Sequence, residues 1–308
     1  MKIEKIIIDT DPGIDDAMAI FFAGLSDKLD LITMTSVFGN VTVDIATRNA
    51  MVLAEILRQD IPVAKGHGYP LVQIPNPVSD YVHGSEGFGD ISAKVPNSKA
   101  LDIPAHEYIC QMINDHMGEI ILCPVGPLTN IALALRYDPT IVSKVKSIVI
   151  MGGGLHSGGN VTEFAEANIW NDPHAADEVF AADWEVTVIG LDVTQKVVCP
   201  HSDFSALTLD APIIGKFLEQ ATDFYIKFYK EAAGIDGCQM HDPITVIATI
   251  HPDLFTYEYH PIQVCLDTNK VGETQISNDA GRRAAKIAVD VNVDAVKKIF
   301  FNTIRTGF

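Results

Sequence analysis

Basic residues are scarce in this 308-residue chain: 22 Lys and Arg face 40 Asp and Glu, for a formal net charge of −18. A field of that sign repels phosphate backbones, so nucleic acid is excluded as an expected partner, and cations are favoured in any acidic cleft. Cysteines number only five (Cys110, Cys123, Cys199, Cys238 and Cys265), and none lies in a CxxC pair. Neither a cysteine zinc site nor a disulfide framework is expected, and reduced thiols point to a cytoplasmic protein. Met1-Lys2-Ile3-Glu4-Lys5 runs straight into a short apolar stretch with no signal-peptide pattern. No apolar stretch reaches the ~18 residues that a membrane span needs, so no membrane partner is expected. Repeats, low-complexity tracts and clear linkers are also missing, which favours one domain over 1–308.

Apolar material is plentiful: hydrophobic residues make up 47% and charged ones 20%. That supports a large core and rules out a disordered composition. Residues 6–8, 31–37, 120–125, 147–151 and 186–191 are continuous apolar runs, the pattern of parallel strands covered on both faces. Between them, 14–24, 44–58, 104–116, 128–137 and 173–182 carry helical spacing. Later come helices at 212–233, 242–250 and from 294, and strands at 262–266 and 286–291. This rhythm predicts an α/β fold: a single-domain, open, mainly parallel sheet flanked by helices. Two loops could edge a site at the strand ends, 70–96 and the run 152–159, which has five glycines in eight residues.

The segment Asp9-Thr10-Asp11-Pro12-Gly13-Ile14-Asp15-Asp16 places four carboxylates where the first strand gives way to a helix. A helix dipole favours Asp15 and Asp16 in a first turn, so capping acids are one reading. Asp9 and Asp11 are two apart and point the same way in extended chain, so crowding near Asp16 would be relieved by a divalent cation. Oxygen ligands of this kind suit Ca²⁺ or Mg²⁺ rather than zinc. Far along the chain, His241-Asp242-Pro243 precedes an apolar helix; Asp242 fits an N-cap and Pro243 a first helical position.

The segment Asp9 to Ala17 resembles the signature of the inosine–uridine-preferring nucleoside hydrolases. The likeness continues in order through Val37-Phe38-Gly39-Asn40, His83-Gly84, Gly126-Pro127-Leu128-Thr129-Asn130, Met151-Gly152-Gly153, then Asn160, Glu166, Asn168, Asp172-Pro173 and His241-Asp242-Pro243. The resemblance implies the nucleoside hydrolase fold with its Rossmann-like core, and a Ca²⁺ ion held by Asp11, Asp16, Asp242 and the Thr129 carbonyl. It implies cleavage of a small-molecule ribonucleoside such as uridine, cytidine or inosine. Asp15, Asn40, Asn160, Glu166 and Asn168 would face the ribose, with Met151 against the sugar. His83 would sit at the mouth, and Tyr225, Tyr229 and Gln239 near the base. A homo-oligomer, dimer or tetramer, is also implied.

The chemistry fits that assignment. Asp11 is the candidate general base for a water acidified by the metal. Attack opposite the base would pass through an oxocarbenium-like transition state stabilised by surrounding carboxylates and amides. His241 is the candidate for assisting base departure, since imidazole titrates near neutral pH. On 212–233, Phe217, Phe224 and Phe228 read as a core face, while Tyr225 and Tyr229 at i, i+4 share one side. Two rivals stay open: an aspartate-nucleophile phosphohydrolase, which also has DxD after its first strand, and a non-catalytic nucleoside or calcium binder.

Overall fold

The structure, a computed structural model, describes residues 3–307. Among the described residues eleven strands form, in chain order: β1 Glu4–Thr10, β2 Leu29–Ser36, β3 Val63–Lys65, β4 Ile120–Pro124, β5 Ser147–Met151, β6 Val186–Ile189, β7 Val198–Cys199, β8 Cys238–Gln239, β9 Phe255–Val264, β10 Thr274–Ile276 and β11 Ala284–Val291. Nine of them make one sheet in the order β10-β9-β11-β6-β5-β4-β1-β2-β3, and β7 and β8 pair separately. Every neighbouring pair from β11 to β3 is parallel; β9 and β10 add an antiparallel edge.

The expected strands and long helices are present, with boundaries moved by a residue or two. One differs more: the strand expected at 262–266 is β9, which begins at Phe255. In its first half only Phe255 is buried and the residues after it are exposed or half-buried, so no continuous apolar run announces it. Strands β3, β7, β8 and β10 are two or three residues long and were not foreseen.

Strand order reverses between β1 and β4, and in open α/β sheets a crevice opens at the carboxyl ends where the order switches. In register, Asp9 faces Thr35 of β2 and Pro124 of β4. The ladders continue past the strands, with the Val125 N–H donating to the Asp9 carbonyl (2.8 Å) and the Val37 N–H to the Thr10 carbonyl (2.9 Å). The chain segments after β2 and β4 are thereby drawn to either side of Asp11. This register brings motifs over a hundred residues apart to one edge.

Helix Ile14–Leu25 is apolar nearly all round and buried from Ile14 to Ala23. It packs against helix His241–Ile250, whose residues are buried from His241 to Ala248. A helix apolar on all sides belongs inside a layered core. Because the two lie together with their N-termini at the carboxyl edge of the sheet, Asp15 and Asp16 meet Asp242. Among the described residues, no helix is long and apolar enough to cross a membrane.

Candidate active site

A pocket of about 410 Å³ opens at this carboxyl edge. Its lining contains every residue expected to touch substrate: Asp15, Asn40, His83, Met151, Asn160, Glu166, Asn168, Tyr225, Tyr229 and Gln239, together with His241 and Asp242. Asp11, Asp16 and Thr129 are fully buried and are not part of the lining.

The acidic centre is held by short bonds. Asp16 accepts from the Thr10 hydroxyl (2.5 Å), the Gly13 N–H (2.9 Å) and the Asn40 side-chain amide (3.1 Å). Asp11 Oδ2 accepts from the Asn40 N–H at 2.6 Å. Asn40 therefore orients two carboxylates, a role its sequence position did not disclose. Glycine is required nearby: a Cβ on Gly39 would come within 2.1 Å of Asp11 Oδ2, and one on Gly126 within 2.6 Å of Asp11 Oδ1.

Asp15, Asp16 and Asp242 each offer an oxygen within 4.8 Å of the others. This triple differs from the expected set, since Asp15 joins it whereas Asp11, drawn toward Asn40, stands beside it. Asp9 is also elsewhere: its Oδ1 accepts from Thr35 (2.5 Å) and Asn130 (2.8 Å), because the chain leaves the strand after Thr10. Thr129 begins helix Thr129–Tyr137, and its hydroxyl donates to Asp172 Oδ2 at 2.7 Å.

Burial drives every carboxyl of this cluster upward, and their mutual charge adds to the effect. Asp15 is raised to about 8 by burial and then by Asp16. Asp11 and Asp242 are pushed well above the carboxylate range by burial and by neighbouring aspartates, and Asp16 is raised chiefly by burial. No lysine or arginine lines the pocket among the described residues. Asp11 Oδ1 and Asp15 Oδ1 are buried without a hydrogen-bond partner. Crowded carboxylates with orphaned oxygens and no basic partner fit a hard divalent cation.

Other groups are committed more tightly than sequence suggested. Glu166 caps helix Ala167–Asn171, and its carboxylate also accepts from the Gly153 N–H at 3.0 Å. Asn168 gives its amide hydrogens to the carbonyls of Val125 (2.8 Å) and Met151 (3.2 Å), which leaves Oδ1 as its free acceptor. Asn160 is exposed, and its Oδ1 accepts from the Ala167 N–H at 3.1 Å.

Opposite the acids, His241 Nε2 lies 2.8 Å from the Tyr229 hydroxyl, which lies 3.2 Å from that of Tyr225; Tyr225 donates to Asp15 Oδ2 at 3.4 Å. His241 Nδ1 meets the Thr194 hydroxyl at 2.8 Å. Burial lowers the His241 pKa to about 4, so the imidazole is neutral at pH 7, contrary to the expectation of near-neutral titration. His83, lowered to about 3 by burial and then by His241, accepts the Ile14 N–H on Nδ1 (3.2 Å), so its proton sits on Nε2.

Tyr81, Val82, Gln195, Phe228 and Ile235 also line the pocket and were missed. Phe228, expected on the core face, does pack against the core but is only half-buried, and it also lines the pocket with its ring 5.3 Å from that of Tyr229. Loop 70–96 supplies the wall from Ser79 to His83. Glycines 152–159 stay out of the lining; Asp192 holds this loop by accepting the N–H groups of Leu155, His156 and Ser157 (2.7, 2.7 and 2.9 Å).

The family model described as inosine-uridine preferring nucleoside hydrolase matches residues 6–298. Uridine nucleosidase 1 of Arabidopsis thaliana is 41% identical over 274 residues, covering 89% of this chain and 82% of the relative. The inosine-uridine preferring nucleoside hydrolase of Leishmania major is 38% identical, covering 85% of this chain and 84% of its own. Among solved structures, a plant nucleoside hydrolase superposes with a TM-score of 0.95 at 38% identity, covering 98% of this chain and 99% of that one. Such likeness over the whole chain, with the acidic pocket at the switch point, leads to one assignment: the chain belongs to the inosine-uridine preferring nucleoside hydrolase family and is an enzyme that hydrolyses ribonucleosides.

Proposed function

We propose that this chain, one domain over 1–308, cleaves the N-glycosidic bond of uridine, cytidine and inosine to ribose and free base, with Ca²⁺ at its acidic centre. Asp11, Asp16 and Asp242 would hold the ion with the Thr129 carbonyl. The carrying observation is the crowded, buried carboxylates at the pocket floor, two of whose oxygens lack any donor. When bound, calcium would supply a charge that makes water easier to deprotonate and anchors vicinal hydroxyls.

Asp11 takes the proton from the attacking water through its unpartnered Oδ1. Asp15 accepts a ribose hydroxyl on the Oδ1 left free by Tyr225. Asn168 Oδ1 accepts another, with Glu166, Asn160 and Asn40 at the sugar's rim and Met151 beneath it. These anionic and dipolar groups stabilise positive charge developing on the ribose. His241 assists base departure as a neutral imidazole, donating a hydrogen bond in concert with Tyr229 rather than acting as a standing imidazolium. Tyr225, Tyr229 and Gln239 contact the base, and the buried His83, its ring 5.3 Å from that of Tyr225, offers its Nε2–H to the pocket.

Five free cysteines, four of them buried, support a reducing, cytoplasmic location. A homo-oligomer, dimer or tetramer, completes the reading and is checked by light scattering. The decisive assay measures free ribose from uridine, cytidine and inosine with wild type and Asp11→Asn. Orders-of-magnitude loss in the variant supports the assignment; near-normal kcat overturns it. Phosphate release from phosphomonoesters in place of ribose release would favour the aspartate-nucleophile alternative.

A further inference from the structure

Away from the pocket, three side chains with metal-binding atoms meet at the surface. His156 Nε2 lies 3.1 Å from Glu258 Oε2, and His260 Nε2 lies 3.2 Å from the same oxygen. All three are partly exposed. Glu258 and His260 are two apart on strand β9 and so stand on one face of the sheet. At both positions the strand pairs with β11, His260 opposite Ala285 and Glu258 opposite Ile287, which fixes both backbones. His156 belongs to the glycine-rich loop 152–159, and its own N–H is held at 2.7 Å by the buried carboxylate of Asp192. The strand that carries Glu258 and His260 and the loop that carries His156 are thus each held by their own hydrogen bonds, so the three side chains extend from fixed backbones.

The geometry points to a second metal site, in which His156, Glu258 and His260 bind a zinc-class divalent cation and pin the glycine-rich loop to strand β9. Two imidazoles and one carboxylate suit Zn²⁺, Co²⁺ or Ni²⁺, in contrast to the all-oxygen acidic centre, which suits a hard ion. Three protein ligands leave a fourth position for water. In the present arrangement the two imidazoles flank one oxygen, so ion binding draws them together around the metal. The strongly acidic chain concentrates cations at its surface. The pinned loop connects Met151 to Asn160, both of which line the pocket, so the second ion would stiffen one wall of the active site.

The test is a calorimetric titration of zinc chloride into the calcium-saturated full-length protein, wild type against His156→Ala/His260→Ala. The wild type is expected to bind one more zinc per chain than the double variant; equal stoichiometry and affinity would overturn the proposal. Should the double variant fold poorly, His156→Gln and His260→Gln are tested singly, each expected to weaken that binding about tenfold or more. Nitrogen-15 imidazole spectra supply an independent reading: zinc must shift the His156 and His260 signals, and shifts confined to other histidines contradict the site. Zinc should also slow proteolytic cleavage within 152–159 in wild type alone; unchanged cleavage would refute the pinning.

Discussion

Gly126→Ala tests how closely the position of Asp11 is specified. Gly126 follows β4, and a methyl group there would lie 2.6 Å from Asp11 Oδ1 and 2.8 Å from Val37 Cγ1. Ordinary contact begins at 3.4 Å, so the carboxylate must retreat by 3.4 − 2.6 = 0.8 Å. Misplacement of a reacting group by about 1 Å costs roughly 100-fold in rate, which corresponds to about 2.7 kcal/mol at the barrier. Overpacking would cost stability about 1–3 kcal/mol, leaving a folded enzyme. Ribose release from uridine should therefore show kcat reduced by about one to two orders of magnitude, with a modest drop in Tm. Gly118→Ala is the control: nothing lies within 4 Å of the added methyl, although its φ of +74° makes the substitution strained. That variant should lose stability and keep its kcat. Normal turnover in Gly126→Ala would refute the placement of Asp11 at the reacting centre.

His241→Ala should slow uridine and inosine far more than a nitrophenyl riboside, whose leaving group needs no assistance; equal losses would remove His241 from base departure. Asp172→Ala should lower Tm markedly, because this buried carboxylate accepts from Thr129, Leu71 and Ala175; loss of the cap alone costs about 1 kcal/mol, and each donor left unsatisfied about 1–3 kcal/mol. An unchanged Tm would contradict that role. The calcium-free protein should lose stability as pH rises from about 6.5 to 8. Burial holds Asp9 at about 7 and, with Asp16, Asp15 at about 8, against an ordinary 3.8, so the folded state binds these protons more tightly and that stabilisation is lost as they leave. Buried His83 and His241 oppose this trend only below their ordinary 6.5. Calcium should flatten the decline, and a calcium-free Tm that rises across this window would contradict the reading.

Much of the fold was legible because its central strands are buried on both faces and appear as unbroken apolar runs. Strand β9 was half missed for the converse reason: Glu258 and His260 give its edge a polar face. The acidic centre was legible from Asp9 to Asp16 alone, since four carboxylates in eight residues demand an explanation. Which of them cluster was not, because Asp9 turns to Thr35 and Asn130 while Asp15 swings toward Asp242. Thr194 and Gln195 carry no local signal; only the packing of helix Leu191–Thr194 beneath His241 brings that threonine to Nδ1. The protonation of His241 was likewise hidden, since it follows from burial that one residue's identity does not reveal.

The acidic centre as a calcium site is tested most directly by a crystal structure of the protein grown with calcium and ribose. One ion per chain should lie about 2.3–2.6 Å from oxygens of Asp11, Asp16, Asp242 and the Thr129 carbonyl, with sugar hydroxyls in its remaining positions and on Asp15. A fully calcium-saturated crystal with no ion among those oxygens, or with the ion on carboxylates elsewhere, would contradict it.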